Sequence, residues 1–211
     1  QVDLFDHQFG RVYAHGIHML EEDASIRALS EEARRLARPI IERGGATERD
    51  AKAVKRVDEA GERVNAWLYE RAVGLLREGK VAAAVGGDHS TPFGLIRACA
   101  EVHGGGGGLG VLQIDAHMDL RDAYEGFEWS HASIMWNVLS KIPQVKRLVQ
   151  VGIRDYAEGE VRAAEQFGVP QIAQHDSWVI DSGPGRVATH VDIAWAQRAD
   201  NGGPVKQMCR Q

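Results

Sequence analysis

Val111-Leu112-Gln113-Ile114-Asp115-Ala116-His117-Met118-Asp119 is the stretch that decides the fold and the chemistry. It reads as an apolar strand that ends by presenting Asp115, His117 and Asp119 at alternate positions. In an extended backbone, residues i, i+2 and i+4 point to the same side. Two carboxylates and an imidazole gathered at the end of a buried strand cost too much to leave unpaired. A divalent metal ion is the simplest partner, because carboxylate oxygens and neutral imidazole are its usual ligands.

Upstream, Val81-Ala82-Ala83-Ala84-Val85 is a continuous small apolar run of strand length, followed by Gly86-Gly87-Asp88-His89-Ser90-Thr91-Pro92. A run that is apolar on both faces fits a parallel sheet covered by helices. Pro92 suits the first turn of a helix that runs to about Val102, with Ser90 or Thr91 as its cap. Further upstream, Glu21 to Arg43 reads as a helix closed by Pro39 and Gly44-Gly45. Thr47 to Asp50 resembles a capping box that opens a long helix to about Glu78, with apolar positions at a 3.6 period. Residues 1 to 20 form an irregular arm whose His7, His15 and His18 are expected to face solvent.

Downstream, a polar loop from Leu120 to Ser130 precedes a helix over His131 to Ser140, a strand over Arg147 to Val151 and a helix over Glu158 to Phe167. A last strand is expected over Val169 to Ala173, and helical periods over Arg186 to Gln197 and from Val205. Strands alternating with helices predict a single α/β domain over residues 1–211, a three-layer α/β/α arrangement around a mainly parallel, doubly wound sheet. Ligands in such sheets bind at the carboxyl ends of the strands. The Gly-Gly-Asp-His loop, the Asp-Ala-His-Met-Asp loop and Gly152-Ile153-Arg154-Asp155 all fall there. His89 therefore meets Asp115, His117 and Asp119 if the two strands are near neighbours, which would make a metal site. Asp88 is expected to orient His89, and Arg154 to pair with Asp155 or another carboxylate.

The bulk composition narrows the alternatives. A net charge of −5 over 211 residues leaves no electrostatic footprint for nucleic acid or an anionic membrane. Cys99 and Cys209 are the only cysteines, so a disulfide scaffold is excluded and a reducing cytoplasm is expected. No apolar run approaches the roughly 20 residues of a membrane span. The five glycines Gly104 to Gly108 lack a phosphate-binding pattern and read as a flexible loop. The chain opens on Gln1 rather than Met, so its first residue is not read as a native N-terminus.

The segments Gly86-Gly87-Asp88-His89-Ser90 and Ile114-Asp115-Ala116-His117-Met118-Asp119 resemble the first two signature motifs of the ureohydrolases, which include arginase, agmatinase, guanidinobutyrase and formimidoylglutamase. The resemblance extends from about Val81 to Tyr156 and takes in Ser130-His131-Ala132-Ser133 and Gln150-Val151-Gly152-Ile153-Arg154. It implies two manganese ions, one held by His89 and Asp119, the other by His117, with Asp115 bridging both. It also implies a catalytic role for His131 in moving protons or contacting substrate. The implied reaction is hydrolysis of a guanidino compound or other linear amidine, agmatinase-like before arginase-like, releasing urea and an amine from a small-molecule substrate. A homo-oligomer is expected on the same resemblance.

One family feature is not found in the sequence, an apolar strand running into Asp-x-Asp. His190-Val191-Asp192-Ile193 comes nearest but has one Asp in a helical period. The family's later glutamate for the guanidinium also has no counterpart. The chain ends on Met208-Cys209-Arg210-Gln211 and is expected to be truncated before that motif, to bind at most one ion well and to turn over little. The alternatives are a non-catalytic ureohydrolase-like binding or regulatory protein, arginase or formimidoylglutamase specificity, and a deacetylase-like metal hydrolase.

Overall fold

Helix α1 (Ala24–Ile41) begins where Asp23 accepts the Ser25 N–H at 2.9 Å and runs two residues beyond Pro39. The computed structural model describes residues 5–169. Before α1, a short 3-10 turn at Val12–His15 interrupts an exposed arm in which His7 and His18 face solvent.

Thr47 and Asp50 form the expected start of the next helix. The Thr47 N–H and hydroxyl both donate to Asp50 Oδ2, at 2.9 and 2.8 Å. Helix α2 (Ala51–Arg77) follows and buries Ala60 and Ala72, which its 3.6 period marked, together with Val73 and Leu76. Helix α3 (Phe93–His103) crosses α2 at backbone distance. A Cβ on Gly94 would lie 2.3 Å from the Asn65 carbonyl oxygen, so this crossing requires glycine.

Strand β1 (Leu109–Ile114) leads through a long loop to helix α4 (Ile134–Lys141) and back to strand β2 (Val145–Val151), which lies parallel to it. This is the crossover that parallel strands need. Helix α5 (Glu158–Phe167) ends at Gly168, a left-handed residue at φ 63°. Phe93, Met118, Leu120, Ile134, Met135, Val138, Leu148, Ala163 and Ala164 form the main core between β2, α3, α4 and α5. Burying a side chain the size of Leu or Ile contributes about 1.5–3 kcal/mol. The α/β class expected from the sequence is the class found.

Three expectations change. Residues 81–85 form no strand: they have no ladder partner among the described residues, and Val81 and Val85 are 97% and 89% exposed. A continuous apolar run signals that burial is affordable, but it does not choose a neighbour to pair with. The organising strand stops at Ile114, so Asp115 to Asp119 is a loop rather than extended chain. The helix expected from His131 begins as a 3-10 turn, His131–Ser133, before α4. The strand over Val169 to Ala173, the helices after Arg186 and the His190 to Ile193 segment lie outside the described residues, apart from Val169 itself, which is buried.

Candidate metal centre

Asp119 is held from both sides of its peptide. Its φ is +54°, a left-handed conformation that non-glycine residues rarely adopt. Its carbonyl accepts the Met135 and Trp136 N–H groups of α4 at 3.0 and 3.3 Å. The following N–H, from Leu120, donates to the buried Glu160 of α5 at 3.2 Å. These bonds sustain the strained backbone and turn the 5% exposed Asp119 inward.

Its carboxylate meets His89. Nδ1 of His89 lies 2.5 Å from Oδ2 of Asp119 and 3.0 Å from Oδ2 of Asp115. The ligating atoms of the three residues all lie within 4.8 Å of one another. His89 arrives from a tight turn in which Asp88 accepts both the N–H and the hydroxyl of Ser90. Asp88 therefore shapes the turn and makes no bond to the imidazole. The Asp119 hydrogen bond holds the His89 imidazole above its ordinary pKa, against the opposing effect of burial. Partial burial pushes the Asp115 carboxyl up, but the His117 N–H, the Gln113 amide and the His89 charge outweigh it and leave it below the usual value.

His117 does not join this group. Its side chain is 59% exposed and sits on the other oxygen of Asp115, with Nδ1 3.6 Å from Oδ1. Its Nε2 is 3.6 Å from Oδ2 of Asp155. The strand's end at Ile114 breaks the alternation that would have aligned the three residues. His131 is exposed at the start of its 3-10 turn, its ring edge-on to Tyr124 with centroids 5.4 Å apart. Arg121 covers the Tyr124 ring at 4.9 Å. Arg154 donates to the Gly152 carbonyl at 3.2 Å, a correction to the carboxylate pairing expected of it.

Comparison with known proteins gives this geometry a context. The arginase family model matches residues 24–199. The chain belongs to the arginase family. Among its relatives, the N(1)-aminopropylagmatine ureohydrolase of Thermus thermophilus is 35% identical over 141 residues, 64% of this chain and 46% of that protein. A mitochondrial arginase 1 of Oryza sativa is 39% identical over 87 residues, 41% of this chain and 25% of that one. The solved arginase of Medicago truncatula is similar at 32% identity and a TM-score of 0.47, over 55% of this chain and 37% of that one. The chain spans about half the length of the Thermus relative or less of the others.

The residues of this arginase-family chain fit a divalent ion. Two carboxylates converge on one imidazole in a partly buried cluster, a donor set of hard oxygens and one nitrogen whose negative charge calls for a cation. Several supporting residues were not singled out in the sequence. Gln113 and Gln150, opposite each other in β1 and β2, are both 4% exposed and hydrogen-bonded to one another at 2.6 Å. Asp58 of α2 accepts the Glu128 and Trp129 N–H groups at 3.0 and 3.3 Å, just before His131. The only sequence signal for the glutamines is a polar residue in an apolar strand, two positions before Asp115 and Gly152.

Proposed function

We propose that this protein is a manganese-dependent ureohydrolase acting on a guanidino compound, closer to agmatinases than to arginases. The observation that carries the reading is the convergence of His89, Asp115 and Asp119 in a chain of the arginase family. The agmatinase side is favoured because the Thermus relative, named for an agmatine derivative, matches 64% of the chain against 41% for the rice arginase.

In this reading His89 and Asp119 would hold one ion and His117 a second, with Asp115 serving both. The opposed contacts of Asp115, Oδ2 toward His89 and Oδ1 toward His117, support a bridging role. A bound divalent ion would supply an acidified water and electrostatic stabilisation of developing charge. The protein's part is to fix the carboxylates and to handle protons. The left-handed Asp119 and the Glu160 contact fix one carboxylate, and the His117 N–H fixes the other at 3.0 Å. His131, exposed at the start of its 3-10 turn, would move a proton to the departing amine.

A second reading has its own observation. Only three ligands converge among the described residues, and the exposed His117 turns away from them. That favours a protein which binds metal or guanidino compounds without turnover. Elemental analysis of the purified chain with manganese, paired with urea detection, tests both. One manganese per chain, lost in His89→Ala and Asp119→Asn, is expected. Urea from agmatine in preference to arginine supports the enzyme, and stoichiometric metal without urea supports the binding protein. Retention of full manganese uptake by His89→Ala would sink the site itself.

A further inference from the structure

We propose that Gln113 and Gln150 form a two-residue amide relay that positions the metal loop, and that metal affinity depends on it. The inference rests on the metal-site reading above. The Gln150 carboxamide nitrogen donates to Oε1 of Gln113 at 2.6 Å and to the Met118 carbonyl at 2.7 Å. Both acceptors are carbonyl oxygens, so the orientation of this amide is fixed. Turning it over would set three oxygens against one another in a buried site. With its oxygen engaged by Gln150, Gln113 must in turn present its nitrogen to the loop. That nitrogen donates to the His117 carbonyl at 3.1 Å and lies 3.4 Å from Oδ2 of Asp115.

The relay thus grips two successive carbonyls, those of His117 and Met118, and reaches the carboxylate oxygen that faces His89. Its direction runs from strand β2 through strand β1 into the site. Parallel register places Gln113 opposite Gln150, so the sheet itself sets the spacing. Neither side chain is needed to fill a polar gap at the surface, since both are 4% exposed. Two buried amides in adjacent strands are costly unless hydrogen-bonded, and here the side-chain bonds they make lead to the loop or to each other. The loop also depends on β2 through backbone: Asp115 N–H donates to the Val151 carbonyl at 3.0 Å, and the Ala116 carbonyl accepts from Arg154 and Asp155. Those bonds fix the start of the loop, and the glutamines add a hold on the His117 and Met118 carbonyls. Gln113 and Gln150 are positioning residues, acting on metal through Asp115 and the loop.

The test is the manganese dissociation constant of the 211-residue chain, read by electron paramagnetic resonance of free Mn2+, in Gln113→Met and Gln150→Met. Methionine matches the volume but cannot relay a hydrogen bond. Loss of partners that orient metal ligands weakens affinity about 10- to 100-fold, and that loss is expected in both variants with helical circular dichroism retained. The double variant is expected to lose less than the product of the two single losses, because each amide also orients the other. Asp50→Ala, remote from the loop, serves as a destabilised control that should keep wild-type affinity. Should a methionine variant fail to fold, Gln113→Asn, an amide one methylene short, is expected to fold and still lose affinity. Wild-type affinity in folded Gln113 and Gln150 variants overturns the relay while leaving the metal site standing. No manganese binding by the wild-type chain overturns the metal site and the relay with it.

Discussion

At the scale of single residues, the site was legible where chemistry is carried by side-chain type and hidden where it is carried by backbone shape. His89, Asp115 and Asp119 could be picked out because carboxylates and imidazole after apolar runs have few other uses. His117 was grouped with them by alternation, which lapses once the strand ends at Ile114 and Asp119 turns left-handed. Gln113 and Gln150 were invisible because only the register of two strands, 37 residues apart, makes them partners. Gly152 belongs to the same class of residues whose role is geometric. Its φ is +86° and a Cβ there would lie 3.1 Å from the carbonyl oxygen of Asp115. Gly152→Ala therefore meets both backbone strain and a crowded metal loop. A loss of about 1–2 kcal/mol in urea unfolding is expected from the left-handed backbone alone. Unchanged stability would show that the loop relaxes around the methyl group.

At the scale of elements, α2 does more than its amphipathic period announced. Periodicity places its apolar face, but it does not reveal that Asp58 and Gly61, one turn apart, grip the loop leading to His131. The Asp58 carboxyl is pushed up by burial, which its bonds to the Trp129 and Glu128 N–H groups offset only in part. Gly61 lets the loop come close, since a Cβ would fall 2.7 Å from the Trp129 Cβ. Gly74, on the same helix, has nothing within 4 Å of that position. The two glycines should respond to alanine with opposite sign. Gly74→Ala gains the usual helix-interior advantage of about 0.5–1 kcal/mol. Gly61→Ala destabilises, because the methyl group can be accommodated only by moving Trp129 and the loop behind it. Urea midpoints of the two variants check this, and a stabilised Gly61→Ala would mean the loop is not packed on α2.

At the scale of the whole molecule, the α/β class and most helices were readable from period and caps, and α5 matches its expected bounds residue for residue. The sheet was not, because strand pairing is a long-range choice. Residues 81–85 are apolar enough for a strand yet have no partner among the described residues. The same limit hid how α1 is fastened to α2. Asp23, besides capping α1, accepts the Trp67 indole N–H at 3.0 Å, and Arg71 approaches the same oxygen at 3.4 Å. Bonds from the Ser25 hydroxyl and N–H, then from Trp67, hold its carboxyl down at about 2. An aspartate in an unfolded chain titrates near ~3.9. The folded value is the lower one, so the charged tether stabilises the fold above pH ~4 and is progressively lost as pH falls toward 2. Asp23→Asn keeps a side-chain oxygen to cap α1 but removes the titrating charge. Wild type should therefore exceed Asp23→Asn in urea midpoint at pH 5 to 7, and the two should converge as pH approaches 2. Because the side chain is about one-quarter exposed, added salt should shrink only the Arg71 share of the difference. A gap that stays constant from pH 5 to 2 would mean that the α1–α2 tether is neutral hydrogen bonding, with no contribution from the carboxylate charge.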